Sequence, residues 1–222
     1  MNKLPKAIIF DWDNTLIDTW PLIHDAIDET MIKMGKEPWG LEKVKKNVHK
    51  SMRESFPEIF GDKWQEAGKI YKDSYHKNHL ENLVMHENAL NLLESAQELG
   101  IKLFVVSNKM GQTLRDEAKH LAIADKFFGI IGAHDAVYDK PSKEPVELAL
   151  EGSDLDPKND LIWFIGDSYI DIECGLNSGC LPVLFNEENN LPRDILYRIK
   201  ETNKPLLHFK NHQEVIDYLQ KN

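Results

Sequence analysis

The sequence predicts an α/β fold: a three-layer, Rossmann-like parallel sheet core with an inserted α-helical cap domain. Three observations support this prediction. Short apolar runs typical of buried parallel strands alternate with helix-period segments from residue 84 onward. Residues 19–83 show helical periodicity and no convincing strand. Several apolar runs end in polar residues, as strands do at the ligand-binding edge of an open α/β sheet. We therefore predict a core formed by residues 1–18 and 84–222 and a cap formed by residues 19–83.

Composition limits the function classes that fit the chain. Its 222 residues include 27 Lys plus Arg against 37 Asp plus Glu, a formal net charge of -10 that argues against broad nucleic-acid binding. The amino-terminal stretch has only four consecutive apolar residues before an acid, so we predict no signal peptide, no membrane span and a cytoplasmic location. Cys174 and Cys180 match no zinc or redox spacing and are interpreted as packing residues. No feature of the sequence indicates an oligomeric state.

The first apolar run, residues 7–10, leads into the most informative stretch of the chain. Asp11 and Asp13 follow it, at the predicted carboxyl end of a buried strand. Two carboxylates this close raise each other's pKa unless a cation lies between them or one of them carries a proton. A metal-bound Asp can act as a nucleophile, and a protonated neighbour can donate its proton. Asn14 tolerates the left-handed backbone of a sharp turn, and Thr15 adds a hydroxyl group.

The predicted cap contains three helices. Apolar residues recur at helical spacing from Pro21 to Met34, with Gly35 as the stop, and again over residues 64–75. Between them, a second helix is predicted over residues 41–52.

Two polar groups in the cap each admit two interpretations. His76 and His79 stand three apart on a helix, a spacing that fits a shared metal or, more commonly, a partly exposed helix face. Residues 45–53 are basic within an acidic protein and fit either a solvated face or a surface that touches an anionic substrate. The candidate substrate contacts on this surface are His49, Lys50 and Arg53.

The α/β alternation then begins with a helix over residues 89–99 and a strand over residues 101–106. This strand ends in Ser107 and Asn108, again polar groups at a carboxyl end. The next helix is predicted to begin near Gly111, so that its backbone N–H groups point toward the Ser107 side chain and favour an anion there.

A loop stiffened by two prolines follows the next predicted strand, residues 127–132, and leads into a helix over residues 146–150. The loop contains Lys140 and Lys143. A lysine held on such a loop would reach the site at a fixed position and offset the negative charge there. The ordinary alternative is a lysine on the solvated surface.

Residues 161–165 form the clearest buried strand, which runs directly into Gly166. Asp167 and Asp171 follow at a strand-to-helix turn, four positions apart, close enough to bind one hard cation through oxygen ligands. Further strands are predicted over residues 181–185 and, at an edge of the sheet, 206–209; the last predicted helix includes residues 215–219.

Together these strand ends supply a nucleophile, an acid, a hydroxyl, a lysine and two metal carboxylates. In this combination the chain resembles the haloacid dehalogenase superfamily of aspartate-nucleophile phosphohydrolases, with a helical cap of the phosphoglycolate phosphatase-like kind. DWDNTLIDT resembles the first motif of that family, SNK the second, KPSKEP the Lys-Pro loop of the third, and GDSYID the fourth. The resemblance spans nearly the whole chain. It implies a Mg²⁺-dependent phosphatase that acts on a small phosphorylated metabolite, either phosphoglycolate-like or a sugar phosphate.

The resemblance also implies a role for each matching residue. Asp11 would be the nucleophile and Asp13 the acid/base, while Lys140, or Lys143 in its place, would be the catalytic lysine. The implied substrate-binding residues in the core are Thr15, Ser107 and Asn108. The implied metal ligands are Asp11, Asp13 through its backbone carbonyl, Asp167 and Asp171, the last as a ligand or as a partner of ligands. Asn14 departs from the glycine usual in the family, and it suits the same turn.

Three alternatives use similar residues. Asp13 argues against the dehalogenase branch, because cleavage of a carbon–halogen bond needs no acid to protonate an alcohol. A phosphosugar mutase uses the same four motifs and differs in how the cap shields the intermediate from water, so it stays open. A non-enzymatic phospho-aspartate switch also combines acids, a hydroxyl and a lysine on a parallel sheet. The large cap and Asp13 count against it, because a switch needs a long-lived acyl phosphate and no proton donor.

Overall fold

The computed structural model describes residues 4–77, 79–187, 191–202 and 205–221. The strands are β1 (Ala7–Phe10), β2 (Ile17–Asp18), β3 (Val84–Met85), β4 (Lys102–Met110), β5 (Gly129–Ala133), β6 (Ile162–Gly166), β7 (Leu181–Phe185) and β8 (Leu207–Phe209). The α-helices are α1 (Trp20–Lys33), α2 (Gly40–Asn47), α3 (Met52–Phe60), α4 (Trp64–His76), α5 (Ala89–Glu98), α6 (Gly111–His120), α7 (Glu144–Leu150), α8 (Tyr169–Ser178), α9 (Arg193–Glu201) and α10 (His212–Lys221).

A six-stranded sheet in the order β5-β4-β1-β6-β7-β8 forms the centre of the core. All of its strand pairs are parallel. β1 is completely buried between β4 and β6, as its unbroken apolar sequence predicts. Phe10, its last residue, is in register with Val105 of β4 and Ile165 of β6. The polar residues that follow β1 and β6, and those that follow Val106 within β4, therefore emerge at one edge of the sheet.

Helices cover both faces of the sheet and complete the three predicted layers. On one face, Ile8 and Phe10 belong to a hydrophobic cluster that includes residues of α5, α6 and α10. On the other face, Ile9 lies in a cluster with residues of α7 and α8. Cys174 and Cys180 belong to this second cluster and are buried free cysteines, which confirms their interpretation as packing residues.

Helices α1 to α4 enclose a separate hydrophobic cluster that includes Ile27, Phe56 and Tyr75. One prediction for this region is wrong, because the helix expected over residues 41–52 is two helices. Helix α2 ends at Asn47, and Val48 adopts φ -105° and ψ 86°. Ser51, a residue type common before helices, is extended and precedes the first residue of α3. The chain therefore changes direction within the basic run, residues 45–53, where the His49 carbonyl contacts Asn108 of β4.

The two connections between the helical block and the core lie side by side. Ile17 pairs with Met85 and Asp18 with Val84 in a short antiparallel ribbon that the sequence did not predict. The proposed domain boundaries fall at this ribbon. Among the described residues, no helix is both long enough and apolar enough to cross a membrane.

Candidate active site

Asp11 and Lys140 meet at the carboxyl edge of the sheet. The Lys140 ammonium donates hydrogen bonds to Oδ1 of Asp11 at 2.6 Å and to Oδ1 of Asp171 at 2.7 Å. All three residues are buried. Burial alone would lower the pKa of Lys140, but the two carboxylates hold that pKa well above its ordinary value. Lys143 is exposed and pairs with Glu147 at 2.7 Å, so Lys140 is the lysine of this loop that lies among the acids.

Asn108 holds the Lys140 loop in position. Its Oδ1 accepts a hydrogen bond from the Lys140 backbone N–H at 3.0 Å, and its Nδ2 donates to the Lys140 carbonyl at 3.1 Å. A longer contact of 3.4 Å joins Nδ2 to the carbonyl of His49 in the cap. The Asn108 amide therefore links β4, the lysine loop and the cap. Its predicted contact with substrate stays a prediction.

Three acids form a candidate metal site. Asp11, Asp167 and Asp171 each offer a carboxylate oxygen within 4.8 Å of the others. Burial raises the pKa of Asp11 to about 7, despite the opposing charge of Lys140. Burial and the neighbouring acids Asp171 and Asp11 hold the pKa of Asp167 well above its ordinary value. No donor in the described ranges hydrogen-bonds to the Asp167 carboxylate. Such crowded acids favour a bound proton or a bound cation.

Asp171 has less capacity left to bind a metal than Asp11 and Asp167, because both of its oxygens already accept hydrogen bonds. Its Oδ2 accepts hydrogen bonds from the backbone N–H and the hydroxyl of Ser168, in a capping box that begins α8, and its Oδ1 accepts from Lys140. The backbone of Gly166 approaches closely, because a Cβ there would lie 2.2 Å from Cγ of Asp171. Asp171 is thus held by the first turn of its own helix, and its Oδ1 orients the Lys140 ammonium.

Two predicted hydroxyl groups occupy different environments. Ser107 lies at the end of the buried part of β4 and lines the cavity above the acids. Its Oγ accepts a hydrogen bond from the Lys109 N–H at 3.3 Å, and α6 begins at Gly111 as predicted. Thr15 is fully buried and is not among the residues that line the cavity, so its predicted substrate contact stays a prediction. Asn14 has a φ of 60°, which confirms the predicted left-handed turn.

The three basic cap candidates differ in position. His49 and Lys50 line the cavity, whereas Arg53 does not. Burial lowers the pKa of His49, whose ring packs edge-on against Tyr169. Arg53 instead forms a two-pronged ion pair with the buried carboxylate of Asp139, at 2.6 and 2.5 Å. A cap arginine therefore contacts the residue immediately before Lys140.

A buried network beside Asp13 was missed at the sequence level. Nζ of Lys109 lies 2.7 Å from Oδ1 of Asp13, and it donates hydrogen bonds to Glu117 at 3.1 Å and to the Tyr75 hydroxyl at 2.6 Å. Lys109 is the third residue of the SNK motif, and Glu117 is a charged residue on the buried face of α6, which also carries Leu114 and Ala118. A charged residue on a buried helix face was the signal that could have found this network.

The two cap histidines pack against each other, and one of them contacts the core. The rings of His76 and His79 are 4.9 Å apart, and Nε2 of His76 lies 2.9 Å from the Thr113 hydroxyl. Within the described ranges, the cluster of Asp11, Asp167 and Asp171 is the one group of three or more side chains that fits a metal. Helix α4 ends at His76 and His79 is buried beyond it, so the prediction that both histidines lie on one helix face is wrong. The contact with Thr113 joins His76 to α6 of the core.

A cavity of about 140 Å³ lies between the sheet edge and the cap. The acids, Ser107 and Lys140 line it on the core side. Its cap side is largely apolar and includes Ile23, Ile27, Val48, Met52, Phe56 and Tyr71. A ligand in this cavity would have its anionic end on the sheet edge and the rest of the molecule beneath the cap.

The fold and the site together define an α/β enzyme whose acids and lysine meet beneath a helical cap. The chain belongs to the haloacid dehalogenase-like hydrolase family, whose sequence model matches residues 8–184. It is 32% identical to a phosphoglycolate phosphatase of Aquifex aeolicus, over 78% of this chain and 81% of that protein. It is also 30% identical to the pyrophosphatase PpaX of Bacillus velezensis, over 80% of this chain and 82% of that protein.

Solved structures have the same fold. A haloacid dehalogenase-superfamily hydrolase from Ehrlichia chaffeensis is 30% identical, with a TM-score of 0.65 over 100% of this chain and 98% of that chain. A haloacid dehalogenase-like hydrolase from Bacteroides fragilis is 19% identical and gives a TM-score of 0.82 over 95% of this chain and all of that chain. The second similarity, at low identity, bears on the fold alone.

Proposed function

We propose that this phosphoric ester hydrolase of the haloacid dehalogenase family hydrolyses a small phosphate monoester through a phosphoryl group carried transiently on Asp11. The observation that carries the proposal is the position of the Asp11 carboxylate, which hydrogen-bonds to Lys140 at the base of the capped cavity. A nucleophile, a fixed cation and an enclosed space for an anion are the parts that phosphoryl transfer needs.

The acid cluster fits a divalent cation. Carboxylate oxygens are the ligands that Mg²⁺ prefers, and Asp11, Asp167 and Asp171 bring three of them within 4.8 Å of one another. We assign Asp11 and Asp167 as the direct carboxylate ligands and the backbone carbonyl of Asp13 as a third, because both oxygens of Asp171 already accept hydrogen bonds. When bound, Mg²⁺ would neutralise charge on the transferring phosphoryl group.

In the first step, a carboxylate oxygen of Asp11 attacks phosphorus in line with the ester oxygen. The new bond joins Asp11 to phosphorus, and the bond between phosphorus and the ester oxygen breaks. Lys140 holds the attacking carboxylate and offsets the charge of the equatorial oxygens, and Ser107 donates to one of them. Asp13 gives its proton to the departing alcohol.

In the second step, Asp13 takes a proton from water, and that water attacks the phosphorus of the aspartyl-phosphate. Inorganic phosphate leaves, and the Asp11 carboxylate and the protonated Asp13 are regenerated. The cap keeps bulk water out during the first step, when a free water molecule would compete with Asp11.

The relatives support a small substrate. One is named for phosphoglycolate and the other for pyrophosphate, both compact anions. The cavity volume of about 140 Å³ also suits a small molecule. We therefore propose a phosphorylated metabolite, with His49 and Lys50 as contacts from the cap.

A turnover assay tests the proposal. Purified protein with Mg²⁺ and para-nitrophenyl phosphate should release nitrophenol continuously, and Asp11→Asn should abolish release. Asp125→Asn, an exposed acid far from the site in sequence, is the matched control and should keep full activity. Stoichiometric labelling without turnover would support a phospho-aspartate switch instead. A panel of phosphorylated metabolites that includes phosphoglycolate, sugar phosphates and pyrophosphate then identifies the substrate; isomerisation of a sugar phosphate without phosphate release would identify a mutase.

A further inference from the structure

We propose that Lys109 is a positioning residue for Asp13 and that the Tyr75 hydroxyl, from the cap, holds the Lys109 ammonium in place. The acid/base is then aligned only when the cap covers the site. This inference rests on the proposed function, because it assigns a role in the proton transfer that Asp13 performs. It concerns residues outside the nucleophile, the lysine loop and the metal acids.

The three oxygen partners of the Lys109 ammonium come from three parts of the chain. Asp13 follows β1, Glu117 lies on α6, and Tyr75 lies on α4 of the cap. The ammonium donates hydrogen bonds to Glu117 and Tyr75, and its charge attracts the Asp13 carboxylate. The side chain of Lys109 is 6% exposed and that of Glu117 is fully buried, so water has little room to replace any of the three partners of Lys109.

The contact between Lys109 and Asp13 is an ion pair without the alignment of a hydrogen bond. Nζ and Oδ1 are 2.7 Å apart, yet Oδ1 accepts no well-directed hydrogen bond. The ammonium attracts Oδ1 both when Asp13 is ionised and when its other oxygen, Oδ2, carries the proton, so the side chain is held in place in both forms. Oδ2 is then the oxygen that exchanges a proton with substrate and water.

Glu117 anchors the network on the core side. Its Oε1 accepts from the Tyr75 hydroxyl at 2.9 Å as well as from Lys109, and its Oε2 accepts from the Trp12 indole at 2.7 Å. Trp12 stands between Asp11 and Asp13 in the sequence and is completely buried. Glu117 thus fixes both the lysine and the backbone between the two catalytic acids.

Tyr75 makes the network dependent on the cap. It is the one member that belongs to the helical block, and both of its hydrogen bonds cross to the core. When the cap moves away, Lys109 loses one of its three partners and Glu117 loses a donor. The Lys109 side chain then has freedom to turn away from Asp13. Alignment of the proton donor is in this way coupled to closure over the substrate.

The role predicts a dependence on the leaving group. Asp13 transfers a proton to the ester oxygen as its bond to phosphorus breaks, and an alkyl alcohol needs that proton far more than nitrophenolate does. Misalignment of Asp13 should therefore slow the first step, transfer of the phosphoryl group to Asp11, strongly for alkyl phosphates and weakly for para-nitrophenyl phosphate. A loss of general packing would slow both substrates alike.

The experiment compares kcat/KM for isobutyl phosphate and para-nitrophenyl phosphate, because kcat/KM reports the transfer of the phosphoryl group to Asp11 and excludes the later hydrolysis, which is the same for both esters. Lys109→Met should lower kcat/KM on the alkyl ester by roughly 10- to 100-fold more than on the aryl ester. Tyr75→Phe should shift the same ratio in the same direction by a smaller factor, with KM changed less than kcat. Lys119→Met and Tyr197→Phe, at exposed positions, are the matched controls and should leave the ratio unchanged.

A second variant keeps the test valid if Lys109→Met fails to fold with Glu117 left uncompensated. Lys109→Met combined with Glu117→Gln removes both charges, and it should show the same selective loss. An equal loss on both esters, or no loss, overturns the inference.

Asp13→Asn separates this outcome from failure of the proposed function. If Asp13→Asn is selective for alkyl esters and the Lys109 variants are not, only the positioning role fails. If wild type turns over neither ester, the proposed function itself fails.

Discussion

Nζ of Lys140 lies 2.6 Å from Oδ1 of Asp11, although 129 positions separate the two residues. The contact crosses from the lysine loop to the end of β1, inside a cluster where burial raises the pKa of Asp11 to about 7. A nucleophilic carboxylate must be ionised, and burial disfavours that form. Lys140 opposes the burial because its positive charge favours the ionised carboxylate. The pair is therefore central to any mechanism that uses Asp11.

Removal of the Lys140 charge should impair catalysis selectively. We predict that Lys140→Met lowers kcat/KM by at least about 10²-fold, in the range found when one preorganised donor to the transition state is lost. Lys143→Met is the matched control, because Lys143 lies in the same loop and its exposed ammonium pairs with Glu147. Its activity should stay close to that of wild type in the same assay. The opposite ranking would transfer the role to Lys143.

Asp167 should control metal affinity. No donor in the described ranges hydrogen-bonds to its carboxylate, so Asp167→Asn removes a ligand without breaking a structural contact. We expect the Mg²⁺ concentration that gives half-maximal activity to rise by at least about 10-fold, as for the loss of a ligand or its partner at other metal sites. Calorimetric titration with Mg²⁺ in the absence of substrate should show the same weakening. An exposed acid, Asp194, provides the control variant Asp194→Asn; an unchanged Mg²⁺ requirement in Asp167→Asn would contradict the assignment.

Arg53 should stabilise the protein through its ion pair with Asp139. The side chain of Asp139 is 1% exposed, so Arg53→Met leaves a buried charge with one backbone donor, the N–H of His134. We expect the free energy of unfolding in urea to fall by roughly 1–3 kcal/mol, because the arginine is itself partly exposed. Lys50→Met, which breaks an exposed pair with Glu58, should cost less than about 1 kcal/mol.

The double variant Arg53→Met with Asp139→Asn decides between two roles for the arginine. If the pair is the main role, the losses of the two single variants will not add, because each removes the same interaction. A raised KM with no loss of stability in Arg53→Met would instead support the substrate contact predicted from the sequence.

His212 should make stability depend on pH. It is 3% exposed, and its ring nitrogens lie 2.8 Å from the Thr15 carbonyl and 3.0 Å from the Glu87 carbonyl. Burial lowers its pKa to about 4 in the folded protein, against about 6.5 in an unfolded chain. Between these values the unfolded state binds more protons, so stability falls as the pH falls from about 6.5 toward 4. At pH 5 the protonation of His212 in the unfolded chain lowers the free energy of unfolding by about 2 kcal/mol relative to its value well above pH 6.5.

Comparison of His212→Gln with wild type separates the pH dependence due to His212 from that due to the other titrating groups. The glutamine variant should be less stable at pH 7 through lost packing, but its unfolding free energy should decline less between pH 7 and pH 5. His120→Gln replaces an exposed histidine and should retain the wild-type slope. Equal slopes for wild type and His212→Gln would show that His212 does not titrate in this window.

The sequence predicted the parts of the site that lie at the ends of strands. The apolar run Ala7–Phe10 and the acids after it were sufficient to locate Asp11, because a buried parallel strand ends at a ligand-binding edge. The same rule located Ser107 and Asp167. The choice between Lys140 and Lys143 needed the structure, since both lie in one loop and only the path of the backbone decides which ammonium is buried.

The contacts between the cap and the core were beyond the sequence pattern. Tyr75 lies 34 positions from Lys109 and 42 from Glu117, and its helical spacing predicted only that it is buried. Arg53 similarly pairs with a residue 86 positions away. Helical periodicity gives the buried face of each helix, but it does not give the partner. The break at Val48 was missed for a related reason: the basic residues around it are compatible with a helix, and tertiary packing overrides that weak preference.

The covalent step at Asp11 is the central claim, and borohydride trapping tests it most directly. Protein turning over a good substrate with Mg²⁺ is quenched and treated with sodium borohydride, which reduces an acyl phosphate to the alcohol. The peptide that contains Asp11 is then analysed by mass spectrometry. We predict homoserine at position 11 in wild type and its absence from Asp11→Asn and from protein without substrate. An unmodified Asp11 in protein that is turning over, or homoserine at another acid, would contradict the account.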